Sequence, residues 1–448
     1  MTVLAEERLE SERRVSIRMP EWGYLDHESP LYGSKLRDLT LANDAATRAL
    51  VSNLERAGVV TLSESRHGVS VRSESYIGRV SVDFLDITIE PKISWGHWMA
   101  LIGYAFRLHG ASRSDRTAMY TDQGCLQDLI AMEFLVEADS IIARGLHREY
   151  VSQSKSLSLP RGRIDFARIA KRGGIRGAII PCRYTDRDYD SVLNRALLAG
   201  LRLVASSASD SQLRGTARRL TRELDSTVES VELSTELLIS AKRSVDRRTT
   251  RYEPSLDLIQ ALMMGESIDL EMAEGTQNFR LPGFALDMNA LWQRLLGRVL
   301  GEWQEYFSVE KEFLLRDVFR RSLEAPIRRR LPRPRPDFAR KEQGEVTMFL
   351  DAKYRDLWGK SLPPEMLYQL SIYALSQQGR LAVMLYPSSE TSAAEERFEI
   401  HDPVTSSYRA SVALRPVDLN GLENLISAPS GDTRSEARRR FATALLAN

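Results

Sequence analysis

The chain has 448 residues, 43% hydrophobic and 8% aromatic, enough apolar material to bury the cores of about two or three domains. Its 62 basic and 61 acidic residues leave a net charge of +1, which excludes a globally basic nucleic-acid binder and requires any such surface to come from local clustering. Two cysteines far apart in sequence, Cys125 and Cys182, and six scattered histidines exclude a disulfide framework and a zinc site of ordinary spacing.

Residues 1–8 hold no apolar signal region, and no run of about 18 apolar residues occurs, so neither secretion nor membrane insertion is expected and the chain reads as cytoplasmic. From 1 to 110 the pattern predicts a mixed, β-rich α+β domain. A helix is expected over 34–56, where Ala46, Leu50 and Leu54 share a face and Gly58 supplies the stop. Val80, Val82 and Phe84 alternate with Ser81 and Asp83, then Ile87 and Ile89 with Thr88 and Glu90; the change of parity predicts a turn or bulge near Leu85. A buried helix is expected over 98–108.

From 111 to 275 the chain reads as mainly helical, with helices over 126–143, 190–205 and 212–224. In the last, Leu213, Ala217, Leu220 and Leu224 make an apolar stripe, while Arg214, Arg218, Arg219 and Arg222 fall largely elsewhere, as a solvated face does. Between these helices the stretch Leu159-Pro160-Arg161-Gly162-Arg163-Ile164-Asp165 reads as a turn entering a short strand. It is either a DNA or partner contact or a structured connector.

From 276 to 448 the pattern becomes α/β. A helix over 287–307 carries Met288, Leu291, Trp292, Leu295, Leu296 and Val299 on its apolar side. Strands are predicted over 308–315, 336–339 and 346–353, a helix over 364–378 with proline in its first turn, and a strand over 381–386. Further strands over 398–401 and 408–414 and a closing helix over 435–446 complete the chain. This order suits a mixed sheet flanked by helices.

Inside that region Pro336-Asp337 is followed by Asp351-Ala352-Lys353, the form Pro-Asp…Asp-x-Lys of metal-dependent phosphodiesterases. Alternation along a strand puts Asp351 and Lys353 on one face. Two carboxylates on neighbouring strand ends give hard oxygen ligands for Mg2+, or for Mn2+ in its place, and the lysine can hold a water or offset phosphate charge. Gln369 and Tyr373, four apart on the next helix, share a face and are candidates to hold a substrate phosphate or orient Lys353. Asp-x-Lys alone is also a common solvated strand edge; the flanking apolar strand and helix favour the catalytic reading.

Eight arginines lie between 316 and 335: Arg316, Arg320, Arg321, Arg328, Arg329, Arg330, Arg333 and Arg335. Prolines at 326, 332 and 334 break any continuous helix there, so a basic loop precedes the first proposed ligand. Arg328, Arg329, Arg330, Arg333 and Arg335 are candidates for phosphate contact. A third acidic ligand is expected on the helix before the sheet, but that place holds Gln293, a neutral amide; Glu302 or Glu305 on the same helix are alternatives. Gly359-Lys360-Ser361 lacks the glycine a phosphate-binding loop needs, Tyr354 standing in its place, so a nucleotide-driven motor, if one acts, is another chain.

With these residues in view the chain resembles the McrC family, nuclease subunits of McrBC-type modification-dependent restriction systems. The likeness rests on Ile89-Glu90-Pro91-Lys92-Ile93 before a helix, Gly145-Leu146 and Tyr150 ahead of Arg161-Gly162-Arg163-Ile164, Asn194-Arg195 opening a helix, and the set Asp337, Asp351, Lys353, Tyr354, Tyr368, Gln369 and Tyr373. The resemblance implies a C-terminal PD-(D/E)XK (restriction-endonuclease-like) fold, with Gln369 and Tyr373 similar to the helix motif of its RecB-like branch. It also implies an N-terminal region, 1–110, that engages a McrB-like AAA+ GTPase hexamer, GTP bound by that partner, and double-stranded DNA carrying methylcytosine as substrate. Gln293, where the family pattern leads one to expect glutamate, keeps a second reading open: a non-catalytic regulator or adaptor of a ring NTPase with a degenerate nuclease fold.

Overall fold

A computed structural model of the chain describes residues 15–41, 44–92, 95–106, 126–174, 179–272, 275–280, 283–304, 307–311, 313–315, 318–319, 333–355, 362–390, 393–428 and 431–448. Its contacts divide the chain into two units, 1–105 with 264–448, and 106–263. The sequence suggested three consecutive stretches cut at 110 and 275; the first and last of them instead share one unit. No helix among the described residues is long and apolar enough to cross a membrane.

The pairing that joins the two ends of the chain is a strand exchange. Strands β1 (Val15–Pro20), β2 (Tyr24–Leu25), β3 (Val60–Ser65), β4 (Gly68–Ser73), β5 (Tyr76–Val82) and β6 (Leu85–Glu90) come from the N-terminal region. One sheet has the order β2-β4-β3; the other has the order β1-β6-β5-β12, in which β12 (Gly283–Asp287) comes from the far side of the 106–263 insertion. β12 runs antiparallel to β5, with Gly283 opposite Val80 and Gly78 opposite Ala285. Both glycines lie at positive φ, 135° and 143°, and a Cβ on either would meet a backbone oxygen of the partner strand at 2.2 Å. Glycine is what lets these strands close.

The parity change near Leu85 is a turn, with Asp83 at φ 53° between β5 and β6. The single helix expected over 34–56 is two. Gly33–Leu36 (α1) ends at Arg37 in extended conformation, and Ala45–Arg56 (α2) starts afresh where Asp44 accepts from the Thr47 amide at 2.8 Å. Asp44 stands just ahead of the Ala46, Leu50, Leu54 spacing, where an N-cap marks a helix start. The buried helix of this region, α3, spans Trp95–Ala105.

In the 106–263 unit, helices α4 (Leu126–Ala143), α6 (Val192–Ser207) and α7 (Ser211–Leu224) fall where helices are expected, and α8 (Thr235–Arg243) and α9 (Glu253–Glu266) are two more that no quoted spacing predicts. The unit is not only helical. Strands β7 (Glu149–Leu157), β8 (Arg163–Ile164) and β9 (Ile180–Asp188) form a sheet of order β7-β9-β8, with the short helix α5 (Phe166–Lys171) between β8 and β9. The residues of the resemblance sit in its joints. Asn194 Nδ2 donates to the carbonyls of His147 and Tyr189 at 2.8 and 2.6 Å while its Oδ1 accepts from the Tyr252 hydroxyl at 2.6 Å. Arg161 forms a two-pronged pair with Asp186, and Gly162, at φ 67°, passes too close to Arg183 O for any Cβ.

The C-terminal part of the first unit carries a hairpin, β10 (Ser267–Met272) with β11 (Gly275–Arg280), then α10 (Met288–Trp303) and a six-stranded mixed sheet. The sheet strands are β13 (Ser308–Lys311), β14 (Phe338–Glu342), β15 (Glu345–Ala352), β16 (Leu381–Ser388), β17 (Glu396–His401) and β18 (Tyr408–Asp418), in the order β13-β14-β15-β16-β18-β17. Its centre, β15-β16-β18, is parallel, and both margins are antiparallel. Helix α11 (Pro364–Leu375) covers one face, packing Leu370, Tyr373 and Ala374 against Ala339, Phe349, Met384 and Val412. On α10, Gly297 brings the helix to van der Waals range of Phe338, and Trp292 Nε1 donates to Leu385 O at 3.0 Å. Helices α12 (Leu419–Ser427) and α13 (Asp432–Leu445) follow. The carbonyl end of α13 receives two buried arginines, Arg340 onto Leu446 O and Arg415 onto Leu445 O, cations where the helix dipole is negative.

Candidate active site

The two aspartates meet because of a bulge. A two-residue turn, Gln343 and Gly344, both at positive φ, joins β14 to β15, the twist that hairpins require. Counting outward from that turn, Lys341 faces Val346, but Arg340 faces Met348, so Thr347 is an extra residue on β15. Phe338 then faces Leu350, which sets Asp337 across from Asp351 at the end of the ladder. Were Thr347 paired with Arg340 in an unbroken ladder, Asp337 would face Leu350 and Asp351 would lie on the other face of the sheet. Thr347 Oγ1 is itself held by Arg340 Nε at 3.0 Å.

Asp337 accepts from the Ala352 amide at 2.7 Å through Oδ2 and from Gln293 Nε2 at 2.7 Å through Oδ1. Asp351 is buried, and its Oδ2 lies 3.1 Å from Lys353 Nζ. Burial pushes the Asp351 carboxyl above the usual carboxylate range, against the pull of Lys353. For Lys353 burial acts to lower the ammonium, but the carboxylates of Asp351, Asp337 and Asp287 outweigh it and hold the pKa above the ordinary lysine value. Gln369 Nε2 donates to the Tyr373 hydroxyl at 2.7 Å, and burial together with Asp351 pushes that phenol up to about 12. All five sequence candidates, Asp337, Asp351, Lys353, Gln369 and Tyr373, therefore fall at one end of β15.

Gln293 does reach this end, yet as a donor that steadies Asp337. Glu302 does not: it pairs with Arg298 and accepts from the Tyr104 hydroxyl at 2.8 Å. Glu305 lies outside the described residues, as do Arg316, Arg320, Arg321, Arg328, Arg329 and Arg330 of the basic loop and the Gly359-Lys360-Ser361 stretch. Arg333 and Arg335 are described and exposed, and the Arg335 backbone bonds the Tyr373 hydroxyl.

Two participants were not read from sequence. Asp287 caps α10, accepting from the Asn289 amide at 2.8 Å, and burial raises its carboxyl; its charge acts on Lys353. Its sequence signal, an Asp just before a helix, reads only as a cap. Glu21 is buried and accepts from the Lys92 amide at 2.9 Å and from the Tyr354 hydroxyl at 2.5 Å, while the Tyr354 amide donates to Asn289 Oδ1 at 3.1 Å. Trp98 packs edge-on against the Tyr354 ring at 5.4 Å. The residue after Lys353 is thus fastened to the N-terminal sheet and to the α10 cap, a contact between positions more than 300 apart that no local pattern announces.

For a divalent cation, the donor set is two carboxylates. Among the described residues no group of three or more His, Cys, Asp or Glu could hold a metal. The fit rests on Asp351: its buried Oδ2 has no hydrogen-bond donor among the described residues beyond the Lys353 ion pair, and three carboxylates act on that one ammonium. A site with acid in excess of base, and a buried carboxylate oxygen left for a cation, suits Mg2+ held by two acids and waters.

The chain as a whole shares its fold with a chain of the refined half-complex from a tetradecameric assembly of Thermococcus gammatolerans McrB AAA+ hexamers with bound McrC, at 18% identity and TM-score 0.54, covering 96% of this chain and 100% of that one. A cryo-EM structure of the Thermococcus gammatolerans McrBC complex is also similar, at 18% identity and TM-score 0.44, covering 64% of this chain and 88% of that one. No curated protein matches. A family model, McrBC 5-methylcytosine restriction system component, matches residues 71–387. The chain belongs to the McrBC 5-methylcytosine restriction system component family.

Proposed function

We propose that this chain is the DNA endonuclease subunit of a modification-dependent restriction complex, cutting phosphodiester bonds with Mg2+ when assembled with a AAA+ GTPase ring whose hydrolysis it stimulates. The observation that carries the reading is the opposition of Asp337 and Asp351 across the β14–β15 ladder with Lys353 Nζ 3.1 Å from Asp351. The mixed sheet with a parallel centre and α11 on one face supports a PD-(D/E)XK fold. The Thermococcus gammatolerans assembly of McrB AAA+ hexamers with bound McrC supports a ring partner, and the family description supports DNA carrying 5-methylcytosine as the target.

In this mechanism Asp337 and Asp351 would hold Mg2+, which when bound would supply charge neutralisation at the phosphate and acidity to a water. Lys353 orients the attacking water or a phosphate oxygen, and leaves Asp351 to do so. Water adds to phosphorus as the bond to the leaving oxygen breaks, giving a phosphate monoester and an alcohol. Gln369 and Tyr373 support the phosphate, Tyr373 remaining a neutral donor because its hydroxyl titrates only at about 12. The basic stretch containing Arg328, Arg329, Arg330, Arg333 and Arg335 supplies backbone contacts.

Asp351→Ala is expected to abolish cleavage of methylated duplex DNA by the reconstituted complex with GTP and Mg2+ while ring binding persists; undiminished cutting refutes the assignment. Gln293 favours a second reading, since its amide stands where an acid is expected and, among the described residues, no group of three or more acids or other ligands could hold a metal. If the unsubstituted chain accelerates GTP hydrolysis by the ring yet no DNA is cut in Mg2+ or Mn2+, the chain is a regulator with a degenerate nuclease fold.

A further inference from the structure

The sheet of the 106–263 unit has a face whose charge is nearly of one sign. β7 and β9 run antiparallel with Tyr150 opposite Arg187, Ser152 opposite Thr185 and Ser154 opposite Arg183, and β8 continues the row with Arg163 opposite Arg183. Residues two apart on a strand share a face, and every one of these side chains is exposed. From α5 and the turn after it, Arg168 reaches Ser154 O at 3.3 Å and Arg172 reaches Ser156 Oγ at 3.2 Å, on the same side. The acid meeting this face is Asp165, buried and already engaged by Arg183 Nε at 2.7 Å. Glu149, Asp186 and Asp188 alternate to the opposite face, where Asp186 is taken by Arg161 at 3.0 Å.

Arg163 and Arg183 are cross-strand neighbours of like charge; Asp165 offsets one of the two charges, and an anion laid over both would offset the other. Arg163 has no ion pair among the described residues. Arg187 is ordered in advance: its guanidinium stacks 5.0 Å from the Tyr150 ring centroid and Nε donates to the phenol oxygen at 2.8 Å. Five planar guanidinium forks, interleaved with the hydroxyls of Ser152, Ser154 and Thr185, are the donor types that meet phosphate and sugar oxygens in protein–DNA contacts. In a chain of net charge +1 this clustering is local.

We propose that this face binds the sugar–phosphate backbone of DNA, a binding surface separate from the Asp337 and Asp351 site. It needs no cleavage chemistry: binding is measured in EDTA without the ring partner, so failure of this surface and failure of the nuclease reading are distinct results. The probe is a fluorescent DNA duplex titrated with the full chain over a series of salt concentrations. The triple variant R163Q/R172Q/R187Q is expected to bind about tenfold or more weakly, and the slope of log affinity against log salt is expected to fall by about 0.9 per contact removed. A control of equal charge change, R218Q/R222Q/R243Q, should leave both unchanged. Should the triple variant fail to fold, Arg163→Gln alone, which removes no ion pair, should still lower the slope by about 0.9. The proposal is overturned by an unchanged slope, by an equal loss in the control, or by an unsubstituted chain that does not bind duplex at low salt. It is equally overturned if the triple variant binds DNA normally but loses the ring partner, which would make the face a protein contact.

Discussion

At Asp337 the hydrogen bond from Gln293 Nε2, 2.7 Å long, has an electrostatic meaning: an amide nitrogen is attracted to that carboxylate where a second carboxylate would repel it. Gln293→Glu is expected to lower stability in metal-free buffer by about 1–3 kcal/mol, the cost of losing a hydrogen bond to a charged group, and Mg2+ is expected to recover much of it by bridging the two acids. Urea midpoints with EDTA and with Mg2+ measure this; the same midpoint shift in both buffers would speak against a metal at Asp337. A second residue-scale test is His401. Its imidazole contacts Glu399 at 2.9 Å and Ser406 O at 3.1 Å, and these, Glu399 first, raise its pKa above the ordinary histidine value. The stabilisation is full below the unfolded pKa and disappears as pH rises through the raised folded one. NMR titration should find the elevated pKa, and Glu399→Gln should bring it down.

At the scale of elements, the β14–β15 hairpin decides whether there is a site at all. Deleting Thr347 removes the extra residue but leaves Met348 opposite Arg340 and Leu350 opposite Phe338, so what is lost is the local twist of the bulge and not the register beyond it. Cleavage should persist, with a far-UV circular dichroism spectrum close to that of the full chain; abolished cleavage would mean that the twist of the bulge, and not the pairing of Asp337 with Asp351, sets the site. The hairpin also marks the limit of pattern reading. The apolar run before Asp351 made β15 legible, as the start signal of proline did for α11, and both put the candidate side chains on adjoining elements. A one-residue bulge leaves alternation intact on each side, so the register that opposes Asp337 to Asp351 could not be read. The helix expected over 34–56 was drawn too long because its apolar spacing, Ala46, Leu50 and Leu54, lies wholly within α2, and the break is set by Arg37 in extended conformation and by the cap at Asp44.

At the scale of the whole molecule, the first unit is discontinuous, closed by β12 against β5 and by Tyr354 against Glu21. A piece spanning 264–448 alone would expose the edge of β12 and the Tyr354 ring, and is expected to aggregate; co-expression with a piece spanning 1–105 should recover a soluble complex on size exclusion. A folded, monomeric 264–448 piece would contradict the shared core. The sequence by itself singled out Asp337, Asp351, Lys353, Gln369 and Tyr373 as candidates, the helices α4, α6 and α7 of the middle unit and the family likeness, because spacing along a helix or strand is local information. Only the tertiary structure decided that Gln293 steadies an acid, that the charge of Asp287 acts on Lys353 while Glu21 holds Tyr354 beside it, and that five arginines gather at one sheet face. Those facts depend on register and on contacts across hundreds of residues, which are set by packing and not by any neighbour in the chain.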